Sequence, residues 1–150
     1  MDQYEMHLAA REDAIRAEAA RERRSAYHVT LGELIETLCD ASPDAVVEIE
    51  GPGADGHRKH PGWLRAYRGY AGDLAIEPTE RRVTAADLLA AARDALDAEM
   101  RDHQGGVHVA SAWTPLWVAE KGLASGAAVI QLAPARGILI MRTRSIAPPE

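Results

Sequence analysis

The chain has 150 residues, 27% of them charged, and a formal net charge of −6. That length fits one domain with a sizeable core, and the negative balance argues against broad, non-specific binding to DNA or RNA, which needs a basic face. The single cysteine, Cys39, excludes an internal disulfide framework and fits a reducing compartment, and no stretch resembles a signal peptide or approaches the roughly 20 apolar residues of a spanning helix, so a soluble cytoplasmic protein is expected.

Residues 3–25 read as a charged helix. Glu12 and Arg16 form an i,i+4 pair, and Tyr4, Leu8, Ile15 and Ala19 make a narrow apolar stripe. A solvated arm is one reading. A helix that packs on a partner subunit is the other, and the stripe favours it, since a free arm has no use for one. Residues 30–40 read as a second helix. Thr30 with Glu33 has the spacing of a capping box, and Leu31, Leu34, Ile35, Leu38 and Cys39 follow helical periodicity. Cys39 is therefore expected in the core rather than as a nucleophile. A strand is expected over 45–50, a Gly/Pro/His loop over 51–62 and a short strand over 74–76.

A third helix is expected over 84–100. Thr84 caps it, Asp87 stands at the capping-box position, and Leu88, Leu89, Ala92 and Leu96 line its buried side. Gly105-Gly106 ends it. Strands follow over 107–110, 116–119, 127–132 and 137–142, the last two joined through Ala133-Pro134-Ala135-Arg136. Ile138 to Met141 is apolar on both faces, as in a central strand. Helices and strands mix without regular βαβ alternation. The expected fold is therefore α+β: one domain over 27–144 with a mainly antiparallel sheet packed with two or three helices, an extra N-terminal helix over 1–26 and a loose tail over 145–150.

The stretch Pro61 to Asp73 carries the most chemistry. Arg65 and Arg68 lie among Trp63, Tyr67 and Tyr70, punctuated by Gly62, Gly69 and Gly72, in a chain with no Phe, three Trp and four Tyr. Aromatic faces stack on bases, guanidinium forks grip phosphate, and glycine admits close approach of a ligand. The plainer reading is packing: Tyr and Trp often bury the ring and leave a polar tip wet.

Other motifs carry less. Asp55, His57, His60, His103 and His108 contain a His-x-x-His spacing, but in a loop and without a Cys partner, so solvated polar residues are the better reading and no metal site is expected. No Gly-x-Ser-x-Gly, Walker loop or dinucleotide fingerprint occurs, and no catalytic residue or cofactor is assigned. Gly51-Pro52-Gly53 is turn chemistry, because Pro52 removes a donor that a phosphate cradle would use. Trp113 and Trp117 flank Pro115 and read as loop cover and sheet core rather than as one stacking face.

Three motifs stand in order: Pro61-Gly62…Tyr67-Arg68-Gly69-Tyr70…Asp73-Leu74-Ala75, then Gly105-Gly106-x-His108, then Thr114-Pro115-Leu116-Trp117-Val118-Ala119-Glu120-x-Gly122. Together, over about Thr30 to Arg142, they resemble the first class of Thoeris anti-defence proteins of phages. The resemblance implies a non-catalytic sponge that sequesters a cyclic ADP-ribose-type signal between two protomers, with aromatics at the adenine and arginines at the pyrophosphate. It also implies a homodimer or larger homo-oligomer, some members holding cyclic di- or trinucleotides elsewhere. Carried onto this chain, it implies ligand contacts from Arg68 with Tyr67 and Tyr70, from His108, from Trp117 and from Glu120. Trp63, Arg65 and Arg142 complete the candidate set. The family usually has Phe or Tyr at the position of His108 and Asn or Asp at that of Glu120. A smaller ring and an added charge at these places bear on ligand choice. Two other readings remain from the residues themselves: a structural or protein-interaction module of a phage or prophage, and a metal-dependent phosphoesterase using the loop histidines.

Overall fold

The structure is a computed structural model and describes residues 11–12, 15–16, 19, 28–51, 59–67, 72–101, 105–119 and 126–145. Helix α1 (Leu31–Asp40) begins where Thr30, in extended conformation, accepts the Glu33 amide at 3.3 Å. The box is half formed, because the Glu33 carboxylate takes the Thr30 hydroxyl rather than the Thr30 amide. Helix α2 (Ala85–Ala95) has the complete box: Thr84 Oγ1 accepts the Asp87 amide at 3.3 Å and Asp87 Oδ2 accepts the Thr84 amide at 3.2 Å. Both helices turn an apolar side inward, through Leu31, Leu34 and Leu38 on α1 and Leu88 and Ala92 on α2.

Eight strands follow the chain: β1 (Val46–Glu50), β2 (His60–Ala66), β3 (Leu74–Thr79), β4 (Glu99–Arg101), β5 (Val107–Val109), β6 (Leu116–Ala119), β7 (Gly126–Ala135) and β8 (Ile138–Ser145). Six form one sheet in the order β1-β8-β7-β6-β3-β2, while β4 and β5 form a small separate pair. Pairing is antiparallel except for β1 with β8 and β3 with β6. The edge strands approach where Ile49 bridges Lys59, but the sheet does not close. The protein is thus α+β, with a mainly antiparallel sheet and two packed helices. Strand β8 is central, between β1 and β7. Among the described residues no helix is long and apolar enough to cross a membrane.

Alternation sets the two faces of the large sheet. Val47, Ile49, Leu74, Ile76, Leu116, Val118, Val129, Leu139 and Met141 join the helices in the main core. The opposite face carries Ala75, Trp117, Ala119 and Ala128, with Tyr67 beside them, as a second buried cluster.

One device ties the layers together. β6 and β7 pair over Trp117–Ala119 and Gly126–Ala128 and then part. Into the gap enters Val29, whose N–H donates to the Val129 carbonyl at 2.7 Å and whose carbonyl accepts the Leu116 N–H at 3.1 Å. The amides of Leu31 and Gly32 belong to the first turn of α1, where helix donors lack intrahelical acceptors. They donate to Thr114 O at 2.9 Å and Ala112 O at 2.8 Å. A side chain at Gly32 would meet Ala112 at 2.9 Å, so the close approach needs glycine.

Several expectations change. Cys39 is exposed, not core. At about 100° per residue it falls roughly 80° from Leu31 on the wheel, past the edge of the buried stripe. Its Sγ receives Arg93 Nη2 at 3.5 Å instead. Residues 60–66 form a strand where a loop and an irregular stretch were expected. Pro61 lacks a donor and Gly62 lacks a side chain, yet β2 is an edge strand and its register shifts between Pro61 and Trp63, which is where such residues are tolerated. The third predicted helix ends at Ala95, not at 100. Asp97 takes φ 63° and gives its N–H to the Ala110 carbonyl at 2.9 Å, and β4 then pairs with β5. The β7–β8 hairpin turns at Arg136-Gly137 rather than over 133–136. In the N-terminal segment Arg11, Glu12, Ile15, Arg16 and Ala19 are helical and Ile15 is 57% exposed. Tyr4 and Leu8 lie outside the described residues.

Candidate functional site

The cluster on the helix-free face is built around Trp117. Period-two alternation on β6 sends Leu116 and Val118 into the main core and Trp117 to the other side. Trp117 stacks on Tyr67, with ring centroids 4.6 Å apart and planes 9° from parallel. His28 meets the indole edge-on at 4.4 Å. His28 Nδ1 lies 3.2 Å from the Leu116 carbonyl, which only accepts, so the proton sits on Nδ1. The indole Nε1 donates to Asp73 Oδ2 at 2.9 Å, and Asp73 is fully buried. Burying a carboxylate without donors is costly, so this bond matters to the packing as well as to the orientation of both groups.

The same cluster brings Tyr67 and Asp73 together. The Tyr67 N–H donates to the Asp73 carbonyl at 2.9 Å, and the two bracket the segment 68–72 in sequence. Tyr67 meets Trp117 by its ring, and Asp73 meets the same indole by its carboxylate. Gly72, at φ 90°, supplies the left-handed residue before Asp73. Arg68 and Tyr70 belong to that segment and lie outside the described residues, as does Glu120 after β6.

Alternation on β2 places Trp63, Arg65 and Tyr67 on one face, which accounts for the aromatic and cationic interleaving in the sequence. Arg65 forms an ion pair with Glu77 of β3 through Nε and gives Nη1 to the Ala66 carbonyl at 3.1 Å. Arg142 of β8 donates from Nη1 to Gln131 Oε1 at 3.0 Å, and its Nε lies 3.9 Å from Glu50 Oε1. Both arginines therefore stand on the alanine-floored face, each beside a carboxylate. Trp117 and Tyr67 are buried and stacked on each other, so they form the floor rather than two open stacking surfaces.

Other candidates stand apart. Trp63 is 58% exposed and lines a cleft at the sheet edge with Gly62, Thr79, Arg81, Arg82, Val83 and Asp87. His108 lies on β5 of the small pair, opposite Met100. Trp113 is 74% exposed rather than packed as loop cover. His60 Nδ1 lies 2.8 Å from the Val47 carbonyl. His57 and His103 lie outside the described residues, and among the described residues no three His, Cys, Asp or Glu side chains converge.

Sequence reasoning missed His28 and Gln131. A lone histidine before a helix cap gives no signal, and Gln131 becomes visible only through its cross-strand register with Arg142. Comparison with protein-family models, curated proteins and solved structures found no match.

Proposed function

We propose that this protein is a non-catalytic sponge that takes up a cyclic ADP-ribose-type nucleotide signal and so blocks anti-phage signalling of the Thoeris kind. The observation that supports this most directly is the joining of Tyr67 and Asp73, which bracket the segment 68–72 in sequence. Both also meet the Trp117 indole. Holding Tyr67 and Asp73 together limits the freedom that a segment between them can lose on gripping a phosphate and a ring, and such preorganisation raises affinity. Arg65 and Arg142, partly exposed on the same sheet face, offer further cationic contacts once their carboxylate partners shift. Cyclic di- and trinucleotides present the same adenine-and-phosphate chemistry and belong to the same reading.

Arg68 is assigned the phosphate. A charge-assisted contact of this kind contributes about 1.5–3 kcal/mol, so Arg68→Ala should weaken binding by about ten- to a hundredfold. Arg68→Lys should recover only part, since a point charge replaces a planar fork. The measurement is mass spectrometry of small molecules released by denaturation after incubation with a mixture of such signals. Intact cyclic nucleotide at stoichiometric yield is expected. Recovery of ADP-ribose or AMP instead would make the protein an enzyme.

The proposed site is shared between protomers, which makes the protein at least a homodimer held in part by residues 3–25. Light scattering should show a dimer or larger for the full chain and a smaller mass for a chain starting at Tyr27. A monomeric full chain would sink the shared site. A second reading, a protein-interaction module, is favoured by the exposed Val107, Val109 and Trp113 around β5. It predicts no small-molecule uptake and free replacement of Arg68.

A further inference from the structure

The cleft beside Trp63 is separate from the Trp117 floor and has its own construction. At Gly62 the β2 strand bulges, and a side chain there would meet the Glu77 carbonyl at 2.9 Å and Thr79 at 3.2 Å. The bulge lets β2 run close against the end of β3, an edge where Trp63 is 58% exposed. The turn after β3 is held by Thr79 Oγ1, which accepts the Arg81 N–H at 3.2 Å. That turn carries Arg81 and Arg82 to the same cleft. Among the described residues neither guanidinium has an ion-pair or hydrogen-bond partner for its side chain. Asp87 also borders the cleft, but its Oδ2 is engaged by the Thr84 amide in the cap of α2. Two arginines against one carboxylate leave the cleft cationic in a chain whose net charge is −6.

We propose that this cleft binds a small anion bearing one flat ring, of nucleoside-monophosphate size. The indole supplies a stacking face and the two guanidinium groups supply donors for an anionic head. The volume is about 340 Å³, at the small end of the roughly 300–1,000 Å³ range of small-molecule sites. One ring and one phosphate fit that space better than two of each. The net negative charge of the protein selects the same way: a polyanion feels the whole repulsive field, whereas a compact monoanion or dianion feels chiefly the local pair of arginines.

The test is titration of the full-length protein with adenosine 5′-monophosphate, followed by calorimetry and tryptophan fluorescence. Inorganic phosphate and adenosine serve as the head-only and ring-only probes. The mononucleotide should bind at least about tenfold more tightly than either part, and Trp63→Leu and the pair Arg81→Gln/Arg82→Gln should each weaken it by about tenfold or more. All three positions are exposed or edge sites, and circular dichroism of the variants confirms folding before titration. Saturable binding that both variants leave within about twofold would overturn the proposal, as would phosphate binding as tightly as the mononucleotide. If Arg142→Gln weakens the mononucleotide and the Arg81/Arg82 variant does not, the ligand sits on the alanine-floored face and the cleft is not its site. Absence of saturable binding also overturns it, and leaves the sponge reading to its own experiment.

Discussion

Trp117→Ala should lower stability by about 5 kcal/mol and the melting temperature by roughly 10–20 °C. The indole is buried, stacked on Tyr67 and met edge-on by His28. Truncating a buried tryptophan costs about 3–5 kcal/mol through lost contacts and the cavity left behind. Asp73, fully buried, would in addition lose the Nε1 donor at 2.9 Å, which costs about 1–3 kcal/mol. Trp117→Phe separates the two contributions. It keeps a ring against Tyr67 and removes the donor, so about 2 kcal/mol should be lost. Thermal denaturation of both variants measures this. If Trp117→Phe is as damaging as Trp117→Ala, the hydrogen bond to Asp73 dominates and the stack is secondary. Because Tyr67 and Asp73, which flank Arg68 in sequence, both meet the same indole, the proposed ligand uptake should fall in both variants, even at temperatures where they remain folded.

Gly51→Ala should cost about 3 kcal/mol and lower the melting temperature by roughly 6–12 °C. Gly51 ends β1 at φ 109°, and a Cβ there would lie 2.7 Å from both the carbonyl and the hydroxyl oxygen of Thr143. Thr143 cannot withdraw easily, since its hydroxyl donates to the Glu50 carbonyl at 2.9 Å and its strand is central. Two penalties therefore add: a backbone conformation that L-residues avoid and a contact with backbone atoms. Gly137→Ala is the control. It has φ 69° but nothing within 4 Å of the added methyl, so only the left-handed penalty of about 1–2 kcal/mol applies. Equal shifts in melting temperature for the two variants would remove the steric part of the argument.

Much of the fold is written in local chemistry. The two helix starts are legible because Thr30 and Thr84 cap them through contacts three residues away. β6 and β8 are legible because short apolar runs of that kind are buried strands. β2 is not, because Pro61 and Gly62 read as breakers until one knows that the strand is an edge with a bulge. The overrun of α2 has a similar origin. Nothing between Asp94 and Met100 breaks a helix locally, and the bond from Asp97 to Ala110 that ends it is tertiary. In the candidate site the aromatic and basic residues are conspicuous as types, while their grouping is not. Strand alternation explains why Trp63, Arg65 and Tyr67 share a face. Only the sheet order shows that Tyr67 joins Trp117, that Arg65 pairs with Glu77 and that Trp63 also borders a cleft at the sheet edge.

The insertion of Val29 between β6 and β7 also dictates an order of events during folding. Helix α1 has its capping residue and apolar stripe within a dozen positions, so its first turns form on the microsecond scale of helix nucleation. Its docking is another matter, because His28 and Leu116 are 88 positions apart along the chain and the acceptor on β7 is further still. Closing so long a loop carries an entropic cost that only the completed sheet repays. A helix whose start is encoded within a dozen residues must therefore wait to dock until the strands encoded last are in place.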